Sequence, residues 1–290
     1  MHWQTSRFLI DLRTPKVMGI VNVTPDSFSD GGQYASQDAA LAHCDRLLKD
    51  GADMLDIGGE STRPGALELP VEDELARVLP IIRHAVTLGV PVSVDTYKPA
   101  VMQAALDLGA DIINDIWALR WRADGDGPTG QQVVSTHPNC GVCLMHMHRN
   151  PQTMQVAPME GDVVPQVLLF LERIAQELRG LGVDSARICI DPGIGFGKTV
   201  QQNFALLAHQ SSLLSLGYPV LAGWSRKSSL AAVTQRSLSN VATMDARDRL
   251  VPSVTAALLA VQNGARVVRV HDVKETVQAL KVFETMQQCG

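Results

Sequence analysis

The chain has 290 residues, of which 46% are hydrophobic and 19% charged, and its formal net charge at pH 7 is −5. This composition supplies a large core and excludes intrinsic disorder, while an acidic balance without basic runs argues against a nucleic-acid surface. No window of about 18 uncharged apolar residues occurs, so no membrane span is predicted. The five cysteines, an odd number without framework spacing, favour free thiols in a reducing cytoplasm.

Short apolar runs alternate with amphipathic stretches along the whole chain. The predicted strands are Lys16–Asn22, Met54–Ile57, Pro91–Asp95, Asp111–Asn114, Gly141–His146, Arg187–Asp191, Pro219–Gly223 and Ala265–Val270. The predicted helices between them include Asp38–Lys49, Val71–Leu88, Pro99–Leu108, Val163–Leu181, Asn203–Leu214 and Val254–Asn263. Because parallel neighbours need crossover helices, this order predicts an α/β fold, a (β/α)8 TIM barrel. We expect a single domain over residues 1–290 with a core at about 15–284, and a doubly wound open sheet is the alternative.

Most of the predicted strands end in a polar or charged side chain. These ends are Asn22, Asp56, Asp95, Asn114, Asp191 and the run Arg269-Val270-His271. In a TIM barrel the carboxyl ends of all strands converge on one active site. The pattern therefore predicts that these scattered side chains form one constellation.

The loops after the first two strands are long, and we expect them to be mobile. The amide oxygen of Asn22, at the first strand end, suits Mg²⁺ that keeps water and substrate phosphate as its other ligands. In the second loop, Gly58-Gly59 allows close backbone approach, and Arg63 offers a fixed fork for phosphate oxygens. The alternatives are a surface turn capped by Asn22 and an Arg63–Glu60 pair.

A carboxamide and two carboxylates follow at later strand ends. Asp95 shares a strand face with Ser93, and Asn114 shares one with Ile112. If both faces point into the barrel, Asp95, Asn114 and Asp191 surround one pocket. Such acceptors suit a flat heterocycle whose amine and ring N–H groups donate. The alternative for each aspartate alone is a helix N-cap.

Cations cluster after the last two predicted strands. Lys227 and Ser228 stand in the loop where barrels often bind anions, and Arg269 and His271 end the last strand. Together with Arg63 they predict a cationic patch. The glycine-rich loop Asp191–Thr199 lacks the spacing of a phosphate-binding loop, so we do not expect nucleotide binding there.

Several motifs together resemble the dihydropteroate synthase family of folate biosynthesis, in order along nearly the whole chain. They are Met18–Gly32, Asp56–Ala66, Asn114–Ile116, Leu144–His148, Asp191–Lys198, Ser225–Ser228 and Arg269–Asp272. The resemblance implies a transferase that joins p-aminobenzoate to 6-hydroxymethyl-7,8-dihydropterin pyrophosphate and releases pyrophosphate. It further implies an Mg²⁺ cofactor, a homodimer and inhibition by sulfonamides.

The resemblance also implies a role for each matching residue. Asp95, Lys227 and Arg63 would be the catalytic residues, and Asn22 would ligate Mg²⁺. The pterin would contact Asp95, Asn114, Asp191 and Lys227, with Ile116, Met145 and Phe196 around its ring. The pyrophosphate would face Thr62, Arg63, Arg269, Val270 and His271, and p-aminobenzoate would lie among Phe28, Pro64, Lys227 and Ser228.

Two departures and two alternatives accompany the resemblance. Arg149 stands where the family usually has Gly, and the loop 120–128 looks enlarged. One alternative is a pterin barrel that moves a methyl group from methyltetrahydrofolate to a corrinoid, which has no use for the cationic patch. The other is an inactive regulatory homologue, which would require lost catalytic residues.

Overall fold

The computed structural model describes residues 1–23, 32–61, 68–122, 127–235 and 245–289. Its strands are β1 His2–Gln4, β2 Leu9–Asp11, β3 Lys16–Asn22, β4 Met54–Gly58, β5 Val92–Asp95, β6 Ile112–Asp115, β7 Gly141–Met145, β8 Ile188–Asp191, β9 Leu221–Ala222 and β10 Val267–Val270. Its α-helices are α1 Gly32–Lys49, α2 Val71–Ala85, α3 Pro99–Asp107, α4 Gly130–Thr136, α5 Val163–Gly180, α6 Val200–Ala208, α7 Ser228–Gln235, α8 Leu250–Gln262 and α9 Val273–Gln288. The 3₁₀ turns are Ser185–Arg187, Gln210–Leu216 and Ala246–Arg249.

Strands β3 to β10 form one parallel sheet that closes on itself. Its order is β8-β7-β6-β5-β4-β3-β10-β9, and a parallel bridge between Ile190 and Val220 joins the two outer strands. The (β/α)8 barrel predicted from the sequence is thus confirmed, and the open sheet is excluded. Each predicted strand corresponds to one strand of the barrel, with ends that differ by up to two residues.

The barrel carries apolar residues on both of its faces, as expected of parallel strands covered by helices. Outward side chains such as Val21, Leu55 and Val268 pack against the helices. Inward residues near the amino ends of the strands, among them Met18, Cys143 and Leu221, fill the barrel interior. The polar residues therefore remain at the other end of the interior.

A short antiparallel hairpin, β1–β2, covers the amino ends of the strands. Trp3 and Leu12 are fully buried and pack on the inner layer of the barrel. The Trp3 Nε1–H donates to the carbonyl oxygen of Arg187 at 2.9 Å. The hydrophobic core thus begins well before the residue expected from the sequence, because this hairpin acts as the floor of the barrel.

Left-handed glycines follow several of the helices. Gly51, Gly89, Gly109, Gly182 and Gly264 all have positive φ. At the other helix ends, Thr129 and Thr199 make capping boxes with Gln132 and Gln202. The α6 capping box fixes the end of the loop that follows β8. In the part of the chain that the structure describes, no helix is long and apolar enough to cross a membrane.

Candidate active site at the carboxyl ends of the strands

Strand register brings the predicted polar residues to one mouth of the barrel. Asn22 is opposite Gly58, Gly58 is opposite Asp95, and Asp95 is opposite Asn114. On the other side of the barrel, Asp191 is opposite Met145. Since the carboxyl ends of parallel barrel strands meet at one end of the barrel, these side chains gather in a single polar layer at its mouth, as predicted.

Arg269 links two carboxylates inside this layer. Its Nε donates to Asp56 at 2.5 Å and its Nη2 to Asp95 at 2.6 Å. Burial opposes the charge of Arg269, but Asp56 and Asp95 together raise its pKa. Burial raises the pKa of Asp95 to about 7, against the opposing effect of Arg269. Arg269, which the sequence placed in the cationic patch, thus pairs with two of the carboxylates.

Several acceptor atoms face the barrel interior without a partner. Asn114 donates to Asp56 at 3.3 Å, so its amide oxygen is turned away from that carboxylate. Among the described residues, Asp56 Oδ1 and Ser93 Oγ have no hydrogen-bond partner, although both are buried. A buried acceptor costs free energy unless a donor meets it. The layer thus offers acceptors suited to a ligand rich in N–H groups.

The loop after β8 depends on a buried lysine. Lys198 is 3% exposed, and its Nζ donates to the carbonyl oxygens of His146, Gly193 and Phe196 at 3.3, 2.7 and 3.2 Å. Burial lowers its pKa to about 7. Lys198 thus holds backbone, not phosphate, which agrees with the absence of a nucleotide-binding spacing in this loop.

Asp191 sits at the start of this loop and faces the same interior. It accepts the backbone N–H of Gly193 at 2.7 Å through one carboxylate oxygen. Burial raises its pKa, while this hydrogen bond and the charge of Lys227 oppose the rise. The other oxygen of Asp191 is directed toward Gly223, where a Cβ atom would lie only 3.8 Å away.

Lys227 crosses the mouth above the β8 loop. Its Nζ lies 4.4 Å from the ring centroid of Phe196, a cation–π contact. Burial lowers the pKa of Lys227 to about 8, against the effect of Asp191. The cation thus lies over an aromatic ring and is favoured by the charge of Asp191.

An apolar wall stands beside the polar layer. Ile116, Met145 and Phe196, which the family resemblance places around the pterin ring, belong to one buried cluster together with Tyr97, Met147 and Met154. Met145 is 5% and Phe196 8% exposed. An apolar wall next to convergent polar groups is the usual construction of a small-molecule site.

The predicted site residues near the end of β10 and the start of α7 differ in what they can offer a ligand. The Ser225 hydroxyl lies 3.0 Å from Nδ1 of His271 and accepts the backbone N–H of the same residue at 3.1 Å. The Val270 side chain packs in the outer core, so only its backbone can face a ligand. Ser228, the first residue of α7, is exposed beside Lys227.

The protein oxygen atoms at the mouth fit Mg²⁺ only if water and substrate supply most of its ligands. Asn22 ends β3 at the mouth and is half-buried. Within the described residues no group of three His, Cys, Asp or Glu side chains could hold a metal. Mg²⁺ typically keeps several waters and uses few protein ligands when substrate phosphate is present. Asn22 therefore fits a site in which protein, water and substrate together bind Mg²⁺. The described residues do not form a site in which side chains alone surround the ion.

Four predicted site residues lie outside the described residues. They are Phe28, Thr62, Arg63 and Pro64. Their roles, and the mobility expected for the two loops that carry them, remain predictions. Of the loop 120–128, which we expect to be enlarged, positions 123–126 likewise lie outside the described residues.

The sequence predicted no specific role for Asp56, which was expected only as one of the strand ends at the mouth, or for Lys198. Asp56 follows the same strand-end pattern as Asp95, so the signal for it was present in the sequence. Lys198 gave no such signal, because its three acceptors are backbone oxygens that only the folded loop brings together.

The chain is similar to known proteins over most of its length. The family model described as "Pterin binding enzyme" matches residues 18–271. A dihydropteroate synthase of Neisseria meningitidis serogroup C is 48% identical over 288 residues, which cover 98% of this chain and 97% of that protein. The Burkholderia cenocepacia dihydropteroate synthase complexed with 7,8-dihydropteroate is 47% identical, with a TM-score of 0.86 and coverage of 99% and 97%. The Xanthomonas albilineans enzyme with 4-aminobenzoic acid is 48% identical, with a TM-score of 0.86 and coverage of 96% and 95%.

Proposed function

The chain belongs to the pterin-binding enzyme family, among the dihydropteroate synthases, and from this premise we propose the reaction that it catalyses. It joins p-aminobenzoate to 6-hydroxymethyl-7,8-dihydropterin pyrophosphate and gives 7,8-dihydropteroate and pyrophosphate. Related structures hold 7,8-dihydropteroate and 4-aminobenzoic acid, the product and one substrate of this reaction.

The observation that carries the proposal is the juxtaposition of Asp95, Asn114 and Asp191 in one layer beside the Met145–Phe196 wall. The edge of a dihydropterin carries an amine and ring N–H donors, and its faces are apolar. The acceptors match the edge, and the wall matches the faces.

Substitution at the pterin methylene needs a stabilised leaving group more than a strong base. The C–O bond to pyrophosphate breaks, the amine nitrogen of p-aminobenzoate forms the new C–N bond, and its proton passes to solvent. Asp95 and Asp191 favour the positive charge that the pterin gains as the C–O bond breaks, which makes the substitution SN1-like. Lys227 and His271, with Arg63 by resemblance, stabilise the pyrophosphate.

We assign Arg269 a second task besides contact with pyrophosphate. Its bonds to Asp56 and Asp95 orient both carboxylates toward the interior. Mg²⁺, when bound with the substrate through Asn22, supplies further neutralisation of the leaving group. p-Aminobenzoate would lie beside Lys227 and Ser228, with Phe28 and Pro64 by resemblance.

Two copies of the chain are proposed to form the working unit, in the cytoplasm. Large apolar side chains are exposed on α8 and α9, namely Val251, Leu259, Val282 and Met286. A dimer interface formed by these two helices would cover them. All five cysteines are free, as a reducing compartment requires.

The proposal is tested by pyrophosphate release from the pterin pyrophosphate with Mg²⁺, with and without p-aminobenzoate. Release that requires p-aminobenzoate, and that a sulfonamide inhibits in competition with it, is the expected result. Methyl transfer to a corrinoid without such release would support the methyltransferase alternative, and no reaction at all would support the inactive homologue. An Arg63→Ala variant that keeps kcat/KM within about twofold would contradict the role given to Arg63.

A further inference from the structure

A buried network beside the mouth of the barrel connects the loop after β4 to the loop after β5. The Nζ of Lys98 donates to Glu60, to the carbonyl oxygen of Leu69, and to Glu74 on α2 at 2.7 Å. The Tyr97 hydroxyl donates to the other carboxylate oxygen of Glu60 at 2.8 Å. We call these five residues the Lys98 network.

The network is built from groups that are costly to bury. The side chains of Lys98 and Glu74 are 2% and 1% exposed, and that of Glu60 is 10% exposed. Removing an ammonium group and two carboxylates from water is unfavourable unless they meet each other in good geometry. Such a network is a poor means of stabilising a fold, which a set of apolar side chains would do better. A positional role is therefore the more fitting explanation.

The positions of its members indicate what the network holds. Glu60 and Leu69 are the described residues close to the two ends of the segment 62–67, and one ammonium group contacts both. Lys98 itself lies three positions after Asp95 and caps α3, where Pro99 fixes the first turn. The network thus ties both ends of the second loop to the strand that carries Asp95.

We infer that Lys98 is a positioning residue for the synthase reaction, through its hold on both ends of the segment that carries Thr62, Arg63 and Pro64. This inference rests on the proposed function, which assigns those three residues to pyrophosphate and p-aminobenzoate. The hydrogen bonds described for Lys98 reach none of Asp95, Asn114 and Asp191, and it meets the apolar wall only through the ring of Tyr97, 5.1 Å from Nζ. Loss of Lys98 should therefore weaken the binding of p-aminobenzoate and the stabilisation of the pyrophosphate leaving group. The affinity for the pterin should not change.

Two variants test the inference. Lys98→Met removes the centre of the network, and Glu60→Gln weakens only its link to one loop end, since Lys98 keeps Glu74 as a partner and the fold is spared. For both we expect kcat/KM for p-aminobenzoate to fall about tenfold or more, because misplacement of about 1 Å is enough for such losses. The Kd of the unphosphorylated dihydropterin should stay within about twofold of wild type. Lys98→Arg, which restores the charge, should recover part of the loss.

A matched control exists at the opposite end of the barrel. Arg7 pairs with the fully buried carboxylate of Asp111 at 2.6 Å. Arg7→Met should lower Tm while the kinetic constants stay within about twofold of wild type. If Lys98→Met and Glu60→Gln behave like this control, with lower Tm and unchanged kinetics, the inference is wrong. It is also wrong if the dihydropterin Kd weakens by the same factor as kcat/KM.

Deuterium exchange separates this inference from the proposed function. In Lys98→Met, peptides that cover Glu60 and Leu69 should exchange faster, while peptides of the pterin layer should not change. This comparison needs no activity. If the wild-type protein were inactive but the exchange pattern were as expected, the proposed function would be wrong and the anchoring role of Lys98 would stand. Unchanged exchange at Glu60 and Leu69 would overturn the anchoring role even in an active enzyme.

Discussion

At the scale of single residues, the shifted pKa values of Asp95 and Lys227 set the expected pH dependence of the site. Burial raises the pKa of Asp95 to about 7, so below that pH it becomes neutral and accepts more weakly from the pterin that we propose it binds. Burial lowers the pKa of Lys227 to about 8, so above that pH its charge is lost. We expect a bell-shaped profile of kcat/KM for the pterin substrate, which reports on the free enzyme. A profile that is flat between about pH 5 and 9 would contradict both assignments.

The charge of Asp95 should matter more than its shape. Asp95→Asn keeps the side-chain size but presents an N–H₂ donor or a weaker acceptor to the pterin edge, and it leaves Arg269 with one carboxylate partner. We expect the pterin Kd to rise at least about tenfold, measured by calorimetry, since hydrogen bonds to charged groups contribute about 1.5–3 kcal/mol. Asp53→Asn is the control, because Asp53 lies before β4 at the other end of the barrel, paired with Lys16. Equal effects of the two changes would remove Asp95 from the pterin site.

At the scale of elements, the loop after β8 has a backbone position, Gly193, that leaves no room for a side chain. Gly193 has a φ of 69°, and a Cβ atom there would lie 1.8 Å from the carbonyl oxygen of His146. Gly193→Ala should therefore lower the free energy of unfolding by about 3 kcal/mol or more, and activity should fall with it because Asp191 and Phe196 move. Gly217→Ala is the matched control, with a φ of 78° but no atom within 4 Å of the added Cβ. It should cost only about 1–2 kcal/mol in urea denaturation, so equal costs would contradict the close-approach argument.

Elements were easier to predict from the sequence than the links between them. An apolar run such as Val92–Asp95 is identified by its composition and its polar end, so the strands and their common mouth could be predicted. The Arg269–Asp56 pair joins residues 213 positions apart, and the Lys98 network crosses two loops, so neither leaves a local pattern. The hairpin strands have three residues each, too few to show an alternation. Arg149, where the resemblance leads us to expect Gly, adopts a φ of 60°, the left-handed region where glycine is favoured.

At the scale of the whole molecule, stability and chemistry are placed at opposite ends of the barrel. Trp3 is fully buried in the floor formed by the hairpin. Trp3→Ala should lower the free energy of unfolding by about 3–5 kcal/mol, which a urea titration measures. At temperatures where the variant is folded, kcat/KM should equal that of wild type, since the floor does not touch the mouth. Trp3→Phe, which loses the bond to Arg187 but keeps most of the volume, should cost less. A Trp3→Ala variant that is stable but inactive would contradict this division.

The central claim is that one layer of side chains at the barrel mouth makes a dihydropterin react with p-aminobenzoate. The most direct test is to incubate the wild-type protein with the pterin pyrophosphate, p-aminobenzoate and Mg²⁺ and to quantify both products by mass spectrometry and a phosphate assay. The account predicts 7,8-dihydropteroate and pyrophosphate in equal amounts, and neither product in Asp95→Asn beyond a small fraction of the wild-type rate. Pyrophosphate without dihydropteroate, or the wild-type rate in Asp95→Asn, would contradict it.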